Sequence, residues 1–157
     1  MPQKFYLTKQ GLEKLKKEYQ DLKKIKFSKT NGEIPKILHS EDVNSEYLSF
    51  REDLSFLEKR LAELENIFKN TELINPPAKE KQKVVDLGAK VTVTVDGQVD
   101  EFEIVGTLEA NPALGKISNE SPIGKSLLGH SAGDKIVASS PIKIVYQIKK
   151  IKYAQRY

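Results

Sequence analysis

Two adjacent carboxylates, Glu41 and Asp42, sit in the polar stretch Leu38-His39-Ser40-Glu41-Asp42-Val43-Asn44-Ser45-Glu46-Tyr47, between two long segments patterned as helices. Carboxylate oxygens are hard ligands, suited to Mg²⁺ and to orienting a water. The same pair has a plainer use, complementing the positive N-terminal end of the helix that follows. The residues alone leave both readings open. Other chemistry is narrower. The chain has no cysteine, so it has no thiol nucleophile, thiolate metal site or disulfide, and a reducing cytoplasm suits it. Neither His39 nor His130 has a partner at metal-ligand spacing. Gly124 and Gly129 lack the strand and the Gly-Lys-Ser/Thr context of a phosphate loop. The chain is therefore expected to act through the 39–46 turn, on or inside a larger molecule.

The elements that must hold this turn are two helices. Tyr47, Phe50, Leu54, Leu57, Leu61, Leu64 and Phe68 alternate spacings of three and four, an unbroken heptad series. At about 1.5 Å per residue this arm is close to 40 Å long. Asp42, Asn44 or Ser45 can cap its start. The first arm opens at Thr8, a good N-cap with Leu7 before it as a staple. Leu12, Leu15, Tyr19, Leu22 and Ile25 form its apolar stripe. Gly11 costs about 1 kcal/mol against Ala in a helix, which suggests a close backbone neighbour. Asn31-Gly32 and Pro35 should break the arm, which resumes as a short turn at Ile37-Leu38.

Charge supports pairing within one chain. Residues 1–38 hold ten Lys/Arg against four Asp/Glu, and residues 39–75 hold four against nine. A basic arm followed by an acidic one suits an antiparallel hairpin, whose flanking charges attract across the seam. A coiled coil between two chains is the alternative; the charge order favours the hairpin and a monomer. Lys9, Lys14, Lys16, Lys17, Lys23 and Lys24 form a basic face, open to RNA or simply solvated. Tyr47 and Phe50 occupy heptad positions, which makes them core residues before they are stacking platforms for bases.

The composition changes after residue 75. Pro76-Pro77 and the charged residues to 83 read as a linker. Ala89–Val95 alternates with period two and is followed by Asp96-Gly97, a hairpin-turn signal. Strands are expected at 89–95, 99–105, 115–118, 135–138 and 142–151. Ser121 as N-cap, Pro122 at the first helical position and a closing Gly129 mark one short helix. The class is α+β: a hairpin over 1–75, a linker over 76–83 and an antiparallel β module with one short helix over 84–157. The N-terminus lacks the apolar core of a signal peptide, no apolar run is long enough to span a bilayer, and no membrane role is expected. The net charge of +4 is only a weak pointer to nucleic acid.

Three motifs in the right order, Leu7-Thr8-Lys9-Gln10-Gly11-Leu12-Glu13-Lys14-Leu15, Asn44-Ser45-Glu46-Tyr47, and Ser118–Gly129 with Gly133-Asp134, resemble the Gre family of bacterial transcript cleavage factors. The resemblance covers nearly the whole chain, and the Ser121-Pro122-Ile123-Gly124 helix with Leu127-Leu128-Gly129 is its most specific part. It implies an N-terminal coiled-coil hairpin and a C-terminal FKBP-like domain. That domain, through Ser121, Pro122, Ile123, Gly124, Leu128 and Gly129, would dock on RNA polymerase. The hairpin would enter the secondary channel of the polymerase and reach the nascent RNA 3′ end at the active site. Glu41 and Asp42 would help hold a Mg²⁺ jointly with the polymerase, with none bound stably alone. The chain would then be a cytoplasmic catalytic cofactor, not an enzyme.

The sequence departs from the family pattern at the turn. Family members carry an Asp and a Glu three residues apart, the Glu directly before the Asn of the Asn-x-Glu-Tyr motif. Counted back from Asn44, those positions hold Val43 and Ser40, with Glu41 and Asp42 between them. The first arm is also about two residues shorter than usual. A second expectation therefore stands beside the first: a regulator or inhibitor of the same fold that fills the channel and cleaves nothing. A third, a peptide binder or prolyl isomerase of the FKBP-like kind, needs an aromatic-lined pocket. Residues 84–153 offer only Phe102, Tyr146 and Tyr153 for it.

Overall fold

The computed structural model describes residues 3–32, 45–138 and 142–154. The chain divides into two compact units, one of residues 1–11 with 71–157 and the other of residues 12–70. The sequence had suggested a division near residue 75, with a linker after it. Instead Thr71–Leu73 (β2) pairs in parallel with Phe5–Leu7 (β1), Phe5 opposite Thr71 and Leu7 opposite Leu73. The segment that precedes the hairpin and the segment that follows it both belong to the β-rich unit. No local pattern announces this, because a two-strand parallel pair of three residues each has almost no sequence signature.

The helical unit is an antiparallel hairpin. The first arm, α1, covers Lys9–Asn31 and the second, α2, covers Ser45–Lys69. All seven heptad residues of α2 are buried or half-buried, with Leu61 and Leu64 the deepest. On α1 the inward positions are Leu12, Leu15, Tyr19, Leu22, Lys26 and Lys29. Ile25, expected in the stripe, is 45% exposed. The 3-4 alternation, continued past Leu22, falls on Lys26 and Lys29 and leaves Ile25 on the flank. The expected break at Asn31-Gly32 is where α1 stops. There the Thr30 hydroxyl donates to the Lys26 carbonyl at 2.9 Å and the Asn31 amide to the Phe27 carbonyl at 3.0 Å, satisfying the last turn.

The larger unit carries a five-stranded sheet of Lys90–Val95 (β3), Gln98–Val105 (β4), Lys116–Ser118 (β5), Lys135–Ala138 (β6) and Ile144–Lys152 (β7), in the order β5-β4-β3-β7-β6. The turn between β3 and β4 has Asp96 at φ 50° and Gly97 at φ 79°, the positive angles a type I′ hairpin requires. The β3–β4, β3–β7 and β6–β7 pairs are antiparallel as expected, while β5 joins β4 in parallel, so the sheet is mixed. One face packs on the helix Pro122–Leu127 (α3). Val91, Val93, Ile104, Ile117, Leu127, Ile136, Tyr146 and Ile148 make the core there. Burying each such side chain contributes about 1.5–3 kcal/mol.

Candidate functional site

The carboxylates singled out in the sequence, Glu41 and Asp42, lie outside the described residues, as does His39. What can be described is the pair of arms leading to them. Across the seam the Arg60 guanidinium grips Glu18 with two bonds, Nε to Oε1 at 2.7 Å and Nη2 to Oε2 at 3.1 Å. Nearby, the Tyr19 hydroxyl donates to Glu65 at 2.8 Å, and the Tyr19 ring meets Phe68 edge-on with centroids 5.5 Å apart. Closer to the turn the seam changes character. Lys26 reaches Glu58 at 3.5 Å and Lys29 reaches Asp53 at 3.2 Å. The basic-to-acidic order of the arms is thus realised as cross-helix ion pairs, with Glu18–Arg60 reversing the sign once. These pairs are substantially exposed, and each contributes about 0–1 kcal/mol. Their greater effect is on register, since a slip of one turn would part all three.

The Lys29–Asp53 pair places the two arms level. Past it α1 continues only to Asn31, whereas α2 begins eight residues earlier, at Ser45. At the turn end α2 therefore overhangs the described helix of α1 by about six residues, or about 9 Å. The Arg60 bond holds the Glu18 carboxyl below the usual carboxylate range, so the grip is fully charged at neutral pH.

The second set of candidates, Ser121, Pro122, Ile123, Gly124, Leu128 and Gly129, surrounds α3. Most of these residues have work inside the fold. The Ser121 hydroxyl oxygen accepts from the Gly124 N–H at 3.1 Å and donates to the Ser118 carbonyl at 2.7 Å. Gly124 is buried against that same carbonyl, and a Cβ at this position would overlap its oxygen. Ile123 packs on the core. Pro122 and Gly129 are exposed, and Gly129 has φ 83°, a conformation that glycine adopts without strain. The surface available to a partner is therefore Pro122, Gly129 and the edge of Leu128. The last two line an open groove of about 550 Å³ with Pro77, Glu80, Lys81, Val84, Val85 and Asp86. Beneath it the Tyr153 hydroxyl donates to the Val84 carbonyl at 2.5 Å and accepts from the Asp86 N–H at 2.9 Å. Burial pushes that phenol above its usual range, so it stays a donor.

His130 and Asp134 flank the turn after α3, Nδ1 to Oδ2 at 3.3 Å. The Ser131 N–H, donating to the same carboxylate at 2.9 Å, holds Asp134 below the usual carboxylate range, with His130 assisting. Here the Asp closes a turn. Among the described residues no group of three or more His, Asp or Glu is placed to hold a metal ion.

Two residues that sequence reasoning missed organise this region. Glu109 accepts from the Thr8 N–H at 2.7 Å and from the Thr8 hydroxyl at 2.6 Å, while Thr8 Oγ1 accepts from the Gly11 N–H at 3.0 Å. Thr8 is thus the N-cap expected. The close neighbour of Gly11 is the Glu109 carboxylate, not a backbone. Ser118, buried, shares a hydrogen bond with Thr107 at 3.0 Å and accepts from the Glu120 N–H at 3.0 Å. Neither residue carries a periodic signal, because each works through partners distant in the chain or in a turn.

Residues 5–73 match the family model for the N-terminal part of transcription elongation factors, and residues 79–153 match that for the C-terminal part of GreA/GreB. Transcription elongation factor GreA of Clostridium acetobutylicum is 40% identical over 155 residues, covering 95% of this chain and 97% of that protein. The GreA of Thermomicrobium roseum is 38% identical over 137 residues, covering 86% and 88%. The GreA factor homolog 1 protein of Thermus thermophilus is 25% identical, with 96% of this chain and 99% of that chain covered at a TM-score of 0.42.

Proposed function

Because this chain belongs to the GreA/GreB family of transcription elongation factors, matched in both its N-terminal and C-terminal parts, we propose that it binds RNA polymerase and stimulates cleavage of backtracked nascent RNA. In this reading the β-rich unit docks on the polymerase through the exposed residues around α3. The helical hairpin enters the secondary channel and brings Glu41 and Asp42 to the RNA 3′ end. The observation that carries it is the ion-paired, antiparallel pair of arms, which in sequence flank the acidic segment 39–46. The chain needs no nucleophile of its own, and it acts as a cofactor to a catalytic centre that the polymerase owns. A monomer working in the cytoplasm fits this role. No described helix is long and apolar enough to cross a membrane.

Glu41 and Asp42 fit Mg²⁺ by donor type, since both offer hard oxygens. Two neighbouring side chains fall short of the octahedral set Mg²⁺ demands, so they would hold it jointly with the polymerase and the RNA. When bound, the ion would stabilise charge on the phosphodiester and favour ionisation of the attacking water. The chain's part is to position two carboxylates and to keep the turn charged.

The test adds the protein with Mg²⁺ to stalled, backtracked complexes and looks for short 3′ RNA fragments. Glu41→Ala/Asp42→Ala should lose the fragments while still binding polymerase. Cleavage equal to the parent's would show that these residues have no metal role. A second reading, a channel-filling regulator without cleavage, rests on the position of the carboxylates: the family positions hold Ser40 and Val43. It predicts that the parent protein yields no fragments and slows elongation.

A further inference from the structure

Asn31-Gly32 ends α1, and the function proposed above makes no other use of it. An asparagine followed by glycine carries chemistry of its own. The backbone nitrogen of the glycine, having lost its proton, attacks the carboxamide carbon of the asparagine. A C–N bond forms, the side-chain nitrogen leaves as ammonia, and a five-membered succinimide closes. Water then opens the ring at either carbonyl, giving aspartate or isoaspartate. Water is the only co-reactant. Glycine favours the attack because no Cβ crowds its nitrogen.

The structure singles out Asn31 among the described asparagines. Asn75 and Asn111 precede prolines, whose ring nitrogen has no proton to lose. Asn66 lies inside α2, where the i→i−4 ladder holds the next N–H. Asn70 is followed by Thr71, which is β-branched and held in β2. The Glu120 N–H, next after Asn119, donates to the Ser118 hydroxyl oxygen at 3.0 Å. Asp96-Gly97 is closed in a hairpin between Val95 and Gln98, and an ionised carboxylate is a poor electrophile. Asn31 is placed otherwise. It is the last residue of α1, Gly32 lies just beyond, and both are exposed. Terminal turns of helices fray, which lets the nitrogen and the carboxamide meet.

We propose that Asn31 is a site of spontaneous deamidation, and that its conversion loosens the end of α1. The last turn depends on the group that is lost. The Phe27 carbonyl accepts from the Asn31 amide at 3.0 Å and from the Thr30 hydroxyl at 3.2 Å. A carboxylate cannot donate, so the nearer donor is removed and an anion faces the carbonyl oxygen. The new charge stands at the C-terminal end of the helix, where the dipole disfavours it. Isoaspartate also adds a methylene to the main chain, which breaks the helical repeat. The nearest tie across the seam is Lys29–Asp53 at 3.2 Å, and the loosening should stop there. The inference does not rest on the cleavage reading. On that reading, α1 is the arm that precedes Glu41 and Asp42 in sequence, and conversion would set a lifetime on their delivery.

The test incubates the full chain at mildly alkaline pH and follows the tryptic peptide Thr30–Lys36 by mass spectrometry, beside isoelectric focusing of the intact chain. The parent should shift to the acidic side by one charge. Its peptide should resolve into aspartyl and isoaspartyl forms, the second accepting a labelled methyl group from an isoaspartyl methyltransferase. Gly32→Ala should lose the acidic species, and so should Asn31→Gln, whose longer side chain must close a six-membered ring. The second variant is needed because a Cβ at Gly32 would lie 2.9 Å from the Ser28 carbonyl oxygen and press on the helix end. Amide exchange at Thr30 and Asn31 should be faster in the converted chain, with that at the buried Leu64 unchanged. The proposal is overturned if the folded chain stays unconverted over an interval in which the same chain converts in urea, or if conversion falls on Asn44 or Asn66 instead. It is equally overturned if the converted chain exchanges its Thr30 and Asn31 amides no faster than the parent.

Discussion

Replacing Gly124 by alanine should damage the β-rich unit even though alanine is the better helix former. Helix propensity alone favours the change by about 1 kcal/mol. Against it stands a backbone atom: the new Cβ would overlap the Ser118 carbonyl oxygen and lie 3.0 Å from Ser121 Oγ. A flexible side chain could swing aside, but this carbonyl already accepts from the Ser121 N–H at 3.0 Å and from its hydroxyl at 2.7 Å. Making room costs about 1–3 kcal/mol, typical of overpacking. It also pulls the Gly124 N–H from its cap, worth about 1 kcal/mol. The balance is a loss of about 1–3 kcal/mol. For a unit of this size each kcal/mol shifts the melting temperature by about 4–8 °C, so a drop of about 5–20 °C is expected. Near-UV circular dichroism reports it through the Tyr146–Phe102 contact, 6.1 Å between centroids. Ser121→Ala, which removes only the cap, should lose about 1 kcal/mol. If the proposed docking through the residues around α3 holds, polymerase binding should weaken for Gly124→Ala as well. A variant that melts at or above the parent temperature would refute the close-approach reading of Gly124.

Gly11→Ala should be neutral or destabilising in the parent, where it evicts the Glu109 carboxylate from Thr8. In a Glu109→Ala background the same change should stabilise by about 1 kcal/mol; a double-mutant cycle of melting temperatures checks the reversal. Glu18 has a depressed pKa when folded, so its pairing with Arg60 stabilises above the unfolded value of about 4.3 and is lost as pH falls through the folded value. Helical circular dichroism melts should therefore show Glu18→Gln less sensitive than the parent to acid below that pH. Tyr153→Phe leaves the Asp86 N–H and the Val84 carbonyl without their partner, which should cost about 1–2 kcal/mol by urea denaturation and speed amide exchange at Asp86.

The local periodicities in this chain were enough to read its elements. The heptads of α2, the alternation of β3 with the Asp96-Gly97 turn, and the Ser121-Pro122 start of α3 appear where expected, because each depends on neighbours within a few residues. The order of charge along the arms also foretold an antiparallel seam. Pairings between distant residues were not legible. The joining of Phe5–Leu7 to Thr71–Leu73, the Glu109 carboxylate closing the first turn of α1, and the placing of Lys26 and Lys29 in the seam where Ile25 was expected all depend on partners set by register in three dimensions. Lys149, Lys150 and Lys152 of β7 show the division most clearly. Their charges are plain in the sequence, but only pairing with β3 and the register shift opposite Thr92 and Val93 set their directions, since a side chain's direction in a sheet is decided by the strand beside it.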